Sequence, residues 1–312
     1  MKLALPQSVR GEVEPGLPSG VEVAWYDGAP EDSGALREAE VAWINVLDGS
    51  AQARVVEAGQ SLKWLTTIQA GVDSWPLQRL RERGLLFTNG AGLAAPAIAE
   101  FVVMGMLALT KNLEGLMGLQ QERRWAPWSL PGGELAGARV LIFGYGSIGR
   151  EIGRRLEPFG VEVTGVRRHA SGEPNVIGPD DWRPRLGEFD WVVLAAASTS
   201  QTTRVIGEAE LRAMKRGARI ANVARGFMID QPALIAALQD GHIGGALLDV
   251  TEPEPPLPDD PIWSAPGVLL SSHSSAVSTN FYKRAAALFL DNLNRYRTGQ
   301  PLRNVVDLEA GY

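Results

Sequence analysis

The fold is decided by one stretch, Val140-Leu-Ile-Phe-Gly144-Tyr-Gly146-Ser-Ile-Gly149-Arg-Glu-Ile152. An apolar strand leads into glycines spaced GxGxxG, an amphipathic helix follows, and a second strand ends about twenty residues later. The glycines permit a tight turn, close approach to a pyrophosphate and close helix–strand packing. The helix N-terminus adds N–H groups and a positive dipole end. The alternative, that these glycines only form a turn and bind nothing, is disfavoured in this context. A Rossmann dinucleotide-binding unit is therefore predicted. The cofactor contacts expected here are Gly144, Tyr145, Gly146, Ser147, Ile148 and Gly149.

Composition indicates an ordinary globular protein with more than one domain, because 312 residues exceed one compact domain and 45% of them are apolar. Having no cysteine and three histidines, the chain cannot form disulfides or an imidazole-rich metal cluster, and no metal is expected. The net charge of −6 argues weakly against a nucleic-acid partner. Neither a signal peptide nor a membrane span is recognisable, so we expect a soluble, cytoplasmic protein without a membrane partner.

Short apolar runs alternate with helical patterns before and after an irregular segment, Gln120–Leu135, which indicates parallel sheets covered by helices. The strands expected before the glycine-rich turn are Val21–Tyr26, Val41–Val46, Trp64–Ile68 and Leu85–Thr88, with helices Gly34–Glu40, Ala51–Gln60 and Trp75–Arg83 between them. Those expected after Val140–Phe143 are Val161–Val166, Trp191–Ala195, Arg219–Val223, Gly245–Asp249 and Val268–Ser271. A long apolar helix is expected at Pro96–Asn112 and a closing helix at Phe281–Tyr296.

We therefore predict an α/β protein of two doubly wound parallel-sheet domains. A Rossmann cofactor domain, residues 98–285, is expected to be inserted in a flavodoxin-like substrate domain, residues 1–97 and 286–312, with the chemistry in the cleft between them. Trp125 and Trp128 lie in an irregular segment after the apolar helix. Tryptophans anchor interfaces but are equally common in cores. This segment is the candidate interface of an expected homodimer.

The second strand of the Rossmann unit ends in Arg167 and Arg168 rather than in an acidic residue. An acid at that place bonds the ribose 2′-hydroxyl and repels a 2′-phosphate, whereas arginine binds phosphate and stacks on adenine. NADP(H) is therefore predicted in preference to NAD(H), which stays open as a second cofactor. The alternative is a pair of solvated loop arginines. The neighbouring His169 is expected to be merely exposed.

A second histidine, His273, follows a predicted strand, at the end where ligands of open α/β sheets bind and where imidazole suits proton transfer. The third, His242, lies in a turn and is expected to be structural. Several motifs occur in the order and spacing of the D-isomer-specific 2-hydroxyacid dehydrogenase family, which the chain therefore resembles. The likeness is greatest to the glyoxylate/hydroxypyruvate reductase branch. The motifs are Gly144–Gly149, Asn222-Val-Ala-Arg225-Gly226, Leu248-Asp249-Val-Thr-Glu-Pro-Glu254-Pro, and the strand that leads to His273.

The resemblance implies hydride transfer between NAD(P)(H) and a small 2-keto or D-2-hydroxy acid. Arg225 matches the arginine whose planar fork binds the substrate carboxylate and carbonyl. His273 matches the general acid/base that protonates the alkoxide formed on reduction. Glu254, five residues after Asp249, matches the carboxylate that stabilises the protonated imidazole and fixes its tautomer. Asp249 itself is expected to face the nicotinamide carboxamide or, equally, to cap a loop.

A turn in the first part of the chain is similar to the family's substrate-binding turn. The resemblance implies that its backbone N–H groups, at Ala70, Gly71 and Val72, bind the substrate carboxylate across the cleft. Two further cofactor contacts are implied at Ser200, where the family has a threonine beside the nicotinamide, and at Ala224.

Two other functions on the same fold compete with this interpretation. A transcriptional corepressor, in which the dinucleotide drives assembly, can keep Arg225, Glu254 and His273, so these residues do not exclude it. A corepressor is disfavoured because no long disordered tail and no basic patch are recognisable. A phosphoglycerate-type dehydrogenase is expected to carry basic residues near the substrate turn, and Gln69–Trp75 contains none. It is also expected to carry a regulatory domain, for which no residues are left over.

Overall fold

The computed structural model describes residues 1–32, 34–46, 48–168, 172–199 and 201–311, so His169 and Ser200 lie outside the described residues. The chain divides into two compact units, residues 1–94 with 278–312, and residues 95–277. The chain passes from the first unit to the second at the start of a helix that begins at Ala95. It returns to the first unit shortly before a helix that begins at Phe281. The expected boundaries at 97 and 286 fall inside these helices. A helix is one continuous hydrogen-bonded element, so the chain changes unit before it.

The first unit is built on a five-stranded parallel sheet. Its strands are β1 (Lys2–Pro6), β2 (Glu22–Tyr26), β3 (Val41–Ile44), β4 (Trp64–Thr67) and β5 (Leu86–Thr88). They lie in the order β2-β1-β3-β4-β5, which is the flavodoxin-like order. Its helices are α1 (Arg10–Val13), α2 (Gly49–Ala58), α3 (Leu77–Glu82) and α9 (Phe281–Arg297).

Apolar cores cover both faces of this sheet. Val55, Leu80 and Phe87 are buried in one core. In the other, Trp64 stacks on Phe289 of α9 with ring centroids 5.6 Å apart. A parallel sheet covered on both faces needs strands that are apolar throughout, and β3 and β4 are buried at every position. For that reason continuous apolar runs predicted these strands correctly.

Two parts of the first unit differ from the sequence-based expectation. The predicted helix Gly34–Glu40 is wrong, because the described residues there form turns. The N–H groups of Arg37 and Ala39 bond the carbonyls of Gly34 and Leu36, and so short a segment does not recover the cost of nucleating a helix. The strand β1 was not expected, although its residues are buried after the first position and it lies between β2 and β3.

The second unit is built on a seven-stranded parallel sheet. Its strands are β6 (Arg139–Phe143), β7 (Glu162–Val166), β8 (Val176–Ile177), β9 (Trp191–Leu194), β10 (Ala218–Asn222), β11 (Ile243–Leu248) and β12 (Val268–Leu270). They lie in the order β12-β11-β10-β9-β6-β7-β8. The order reverses between β6 and β9, which is the topological switch point where doubly wound folds bind ligands. Its helices are α4 (Ala95–Thr110), α5 (Leu113–Gln121), α6 (Ser147–Leu156), α7 (Glu208–Ala213) and α8 (Gln231–Gln239).

The apolar helix α4 packs within the second unit. Val102 and Met106 are buried, and Gly105 allows close contact, since a Cβ there would lie 2.5 Å from a methyl carbon of Leu247. The following helix α5 was not expected as a separate element. Among the described residues no single helix is long and apolar enough to cross a membrane. Only α4 and α5 counted together, bent by 65°, have that length and composition.

Candidate active site

The carboxyl ends of six neighbouring strands in the second unit lie side by side. Their last residues are successive register partners: Val166, Phe143, Leu194, Asn222, Leu248 and Leu270. Ligands of open α/β sheets bind beyond this edge. The predicted residues Arg225, Glu254 and His273 follow the ends of β10, β11 and β12, which are three adjacent strands. The fold therefore brings the three segments that carry them to one edge of the sheet.

The three glycines after β6 have different surroundings. Gly144 has a φ of +98°, and a Cβ there would lie 2.3 Å from the backbone nitrogen of Ala196. A Cβ on Gly149 would lie 2.4 Å from the Gly144 carbonyl oxygen. By contrast, a Cβ on Gly146 would have no described atom within 4 Å. The first and third glycines are thus required by packing, while the second faces open space at the start of α6. That space fits a pyrophosphate, which a side chain at this position would obstruct.

The backbone N–H groups of the glycine-rich turn fall into two sets. Those of Gly144 and Tyr145 both donate to the Val166 carbonyl, at 3.2 and 2.9 Å, and tie the turn to β7. The N–H of Arg150 donates to the Gly146 carbonyl at 2.9 Å. The N–H groups of the first turn of α6 precede that bond and have no partner within the helix. These groups, at Ser147, Ile148 and Gly149, are the ones that can donate to a phosphate.

The side chain of Tyr145 has a packing role. A Cβ on Gly165 would lie 2.3 Å from the ring, and a Cβ on Gly153 would lie 2.8 Å from the phenolic oxygen, so both glycines make room for it. The Arg150 guanidinium lies 5.2 Å from the ring centroid, a cation–π contact. Tyr145 thereby locks α6 against β7.

An acidic residue that the sequence analysis missed, Glu173, lies in the loop between β7 and β8. Glu173 accepts hydrogen bonds from Arg150 Nη1 and Nη2 at 2.6 and 2.7 Å, and from Arg167 Nη1 at 3.3 Å. Hydrogen bonding to Glu173 is the main cause that raises the pKa of Arg150. Arg168 follows Arg167 and is exposed. No motif marks Glu173, because it lies in a loop whose path depends on the pairing of β8 with β7.

The loop after β10 is folded by a buried amide. Asn222, 1% exposed, accepts the N–H of Ala224 at 3.0 Å and donates to the Arg225 carbonyl at 2.8 Å. The Arg225 guanidinium donates in turn to the Ala224 carbonyl at 2.9 Å. Asn222 therefore holds the backbone of both predicted site residues. An amide that directly follows the buried apolar residues Ile220 and Ala221 was the sequence feature that could have indicated this role.

The loop after β11, which carries Glu254, is held against the loop of Arg225. A Cβ on Gly226 would lie 1.9 Å from the Thr251 carbonyl oxygen, so only glycine permits this approach. The side chain of Gln231 at the start of α8 accepts the Glu252 N–H at 3.1 Å. These contacts hold in place a proline-rich segment that has no regular hydrogen-bonding pattern of its own.

His273 and Glu254 form a hydrogen-bonded pair. The His273 Nδ1 lies 2.6 Å from Glu254 Oε1, and the two side chains are 50% and 41% exposed. Because Nδ1 is engaged by the carboxylate, Nε2 is left to exchange a proton with a ligand. A carboxylate that orients an imidazole in this way produces an acid/base group whose tautomer is defined.

Asp249 organises the segment that carries His273. Its carboxylate, 2% exposed, accepts the N–H groups of Ser274 and Ser275 at 2.8 and 3.1 Å and the hydroxyl of Ser271 at 2.6 Å. The Ser275 hydroxyl donates to it as well. This geometry is that of a loop cap, one of the two roles expected for Asp249. His273 has a φ of +52°, in the left-handed region that non-glycine residues seldom adopt.

The sequence of the second unit shows to which protein family the chain belongs. Residues 103–275 match the model of the D-isomer specific 2-hydroxyacid dehydrogenase NAD binding domain. The chain belongs to the D-isomer specific 2-hydroxyacid dehydrogenase family. It is accordingly an NAD(P)-dependent oxidoreductase of the 2-hydroxyacid dehydrogenase type, which confirms the resemblance and the fold class expected from the sequence.

Two relatives and one solved structure illustrate the similarity. The dehydrogenase is 30% identical to a glyoxylate reductase of Korarchaeum cryptofilum over 296 residues, 92% of this chain and 89% of the relative. It is 28% identical to a D-3-phosphoglycerate dehydrogenase of Methanocaldococcus jannaschii over 278 residues, 88% of this chain but 52% of the relative. The structure of a D-isomer specific 2-hydroxyacid dehydrogenase from Xanthobacter autotrophicus, in complex with NADPH and MES, has a TM-score of 0.84 and 27% identity, covering 100% and 99% of the two chains.

The predicted substrate turn of the dehydrogenase lies in the first unit, after β4. The side chain of Asn89 donates to the Ala70 carbonyl at 2.8 Å, and the N–H of Trp75 donates to the Val72 carbonyl at 3.0 Å. The side chain of Gln69 accepts the indole N–H of Trp75 at 2.9 Å. The turn is thus held on both sides by hydrogen bonds to its carbonyls. Its three predicted residues are Ala70, Gly71 and Val72, of which Val72 is buried.

The third histidine lies apart from the His273–Glu254 pair. His242 Nε2 lies 3.1 Å from the Leu211 carbonyl oxygen, in keeping with the structural role expected of it. Within the described part of the chain, no group of three or more His, Asp or Glu side chains is placed to hold a metal ion.

Proposed function

We propose that this dehydrogenase reduces small 2-keto acids of the size of glyoxylate and hydroxypyruvate to D-2-hydroxy acids, reversibly, with NADPH preferred to NADH. The observation that carries the proposal is the 2.6 Å contact between His273 and Glu254 at the ends of adjacent strands. The similarity of the chain to a protein named glyoxylate reductase supports small 2-keto acids as the substrate class.

The proposed chemistry assigns one task to each of three side chains. A nicotinamide dinucleotide held by the glycine-rich turn would supply the hydride chemistry at C2 of the substrate. The Arg225 guanidinium binds the substrate carboxylate with two parallel hydrogen bonds and polarises the ketone. His273 Nε2 gives its proton to the alkoxide oxygen, and Glu254 stabilises the imidazolium before that transfer. A hydride and a proton are thus added in reduction, and both are removed in oxidation.

The cofactor is proposed to bind to the second unit. The N–H groups of Ser147, Ile148 and Gly149 would hold the pyrophosphate, and Gly146 leaves the space for it. Three further groups of residues are proposed to contact the cofactor or the substrate. They are Arg167 and Arg168 for the 2′-phosphate, Ser200 and Ala224 beside the nicotinamide, and the backbone N–H groups of Ala70, Gly71 and Val72 for the substrate carboxylate.

A homodimer is proposed through the segment that contains α5 and the two tryptophans after it. Trp125 and Trp128 are 94% and 100% exposed in the single chain, and Leu116 and Met117 are 49% and 52% exposed. So much exposed apolar surface is typical of an interface. Sedimentation equilibrium is expected to give twice the chain mass, and Trp128→Ser is expected to lower that mass. A chain that sediments at single mass would contradict the dimer.

Initial rates with NADPH and, separately, NADH test the activity. Glyoxylate, hydroxypyruvate, pyruvate and phenylpyruvate are the keto acids to compare. Rapid turnover of one of the smaller acids, faster with NADPH, is the expected result. Cofactor binding in calorimetry without turnover of any acid would contradict the proposal and favour a binding protein that senses the dinucleotide.

A further inference from the structure

Three charged side chains converge beside the end of β7. Arg150 projects from α6, Arg167 follows β7, and Glu173 lies in the loop that leads to β8. Glu173 binds Arg150 through two hydrogen bonds, at 2.6 and 2.7 Å, and Arg167 through one, at 3.3 Å. All three are partly exposed, with 34% to 42% of each side chain open to solvent. In a Rossmann unit this strand end is where the ribose of the adenosine binds.

The two guanidinium groups differ in how firmly they are held. Arg150 is fixed on one side by Tyr145, whose ring is itself enclosed by Gly153 and Gly165. Its two contacts with Glu173 are short, whereas the single contact of Arg167 is long. Arg167 is therefore the group that can leave the carboxylate for another anion at little cost. Glu173 would then stay in place, bound to Arg150.

A 2′-phosphate and the Glu173 carboxylate require the same partner. Both are anions whose oxygens accept hydrogen bonds from a guanidinium. A phosphate that binds Arg167 competes with the carboxylate for the donors of one guanidinium and lies close to that carboxylate. The negative charges of the phosphate and the carboxylate, bound side by side, repel each other even where water screens them. A cofactor with a free 2′-hydroxyl meets neither obstacle.

We propose that Glu173 is a cofactor-specificity residue, whose carboxylate competes with the 2′-phosphate of NADP(H) for Arg167. The preference for NADP(H) is then weaker than two arginines alone would produce, and NAD(H) is accepted as well. This inference rests on the proposed function, because it assumes that Arg167 contacts the 2′-phosphate.

Calorimetric titration of the full chain with NADP⁺ and with NAD⁺ tests the role of Glu173. Glu173→Gln keeps the shape of the side chain and removes its charge. It is expected to tighten NADP⁺ binding by about threefold to tenfold and to change NAD⁺ binding by less than about twofold. Glu173→Asp keeps the charge and is expected to leave the ratio of the two dissociation constants near the wild-type value. Glu57→Gln, which removes a carboxylate bound through two hydrogen bonds to Arg79 in the first unit, is the matched control.

Unchanged or weaker NADP⁺ binding by a Glu173→Gln variant that melts near the wild-type temperature overturns the inference. If that variant melts below the assay temperature, Glu173→Ala takes its place, and the same criterion applies. A wild-type chain that binds neither dinucleotide contradicts the proposed function instead, since the inference concerns only the ratio of the two affinities.

Discussion

His273 donates its backbone N–H to the backbone carbonyl of Asp249 across 2.9 Å. The same aspartate accepts the two following N–H groups, of Ser274 and Ser275, on its carboxylate. One residue thus holds three consecutive peptide groups around a histidine whose φ is +52°. Such a conformation costs about 1–3 kcal/mol and persists only where the surroundings enforce it. The hydrogen bonds to Asp249 supply that enforcement, and they orient the imidazole toward Glu254.

Replacing Asp249 by asparagine is expected to reduce kcat at least about tenfold, because the amide presents N–H groups where the loop requires an acceptor. Asp249 is a positioning residue in this account, so the pH profile of kcat should change together with its magnitude. Asp230→Asn is the matched control, since Asp230 caps α8 by accepting the Ala233 N–H at 3.2 Å. An Asp249→Asn enzyme with both a normal kcat and a normal pH profile would show that the cap is not needed for catalysis.

His273→Ala is expected to lower kcat by about 10²–10⁴-fold, the usual contribution of a general acid/base. Binding of NADP⁺ should change little, because the histidine is assigned to the substrate proton and not to the dinucleotide. Steady-state rates and fluorescence titration measure the two effects separately. His242→Ala, at the histidine bound to the Leu211 carbonyl, should keep full activity. Near-normal turnover by His273→Ala would remove the acid/base assignment.

The double replacement of Arg167 by Asp and of Arg168 by Ser is expected to shift the preference toward NAD(H). The aspartate would accept a hydrogen bond from the ribose 2′-hydroxyl and repel a 2′-phosphate. The quantity to measure is kcat/KM with NADPH divided by kcat/KM with NADH. If this ratio stays at its wild-type value, the two arginines do not contact the cofactor.

Much of the fold could be predicted because buried parallel strands are continuous apolar runs. Two short strands were missed although their residues are apolar. Strand β1 is rich in leucine and alanine rather than in β-branched residues, and β8 consists of two residues at the edge of its sheet. At Gly34–Glu40 a helix was predicted where none forms. The segment contains good helix formers, but it is too short for its hydrogen bonds to offset the unfavourable nucleation of a helix.

The contact between His273 and Glu254 could be predicted, because a carboxylate is a common partner of an imidazole that exchanges protons. The supporting contacts were not predictable, because they depend on which loops meet in space. The carboxylate of Glu173 reaches Arg150 on a helix that begins many residues earlier. No periodicity or spacing in the sequence encodes this contact.

Gly226→Ala is expected to lower the free energy of unfolding by about 1–3 kcal/mol, because its Cβ would overlap the Thr251 carbonyl, which is backbone and cannot rotate away. Since the contact joins the loops of Arg225 and Glu254, activity should fall as well. Urea denaturation measures the stability. Gly11→Ala in α1, where a Cβ meets no described atom within 4 Å, should be neutral or slightly stabilising. Equal stability of both variants would contradict the tight approach at Gly226.

Asp190 is expected to make the stability of the fold depend on pH in the acid range. Burial of Asp190 opposes ionisation, but the Arg139 N–H and the Lys215 ammonium, each at 2.8 Å, outweigh it and hold the pKa of the carboxyl below its usual value. A lowered pKa means that the contribution to stability is complete above the unfolded-state value, about 3.9, and is lost as the pH falls through the folded-state value. Asp190→Asn is therefore expected to cost about 1 kcal/mol at pH 7, a figure kept small because the side chain is 41% exposed. The difference from wild type should shrink when urea denaturation is repeated at pH 4 and then at pH 3. Lys215→Met removes only one of the two partners and should cost less than Asp190→Asn at pH 7. A difference that stays constant down to pH 3 would mean that the charge of Asp190 does not stabilise the fold.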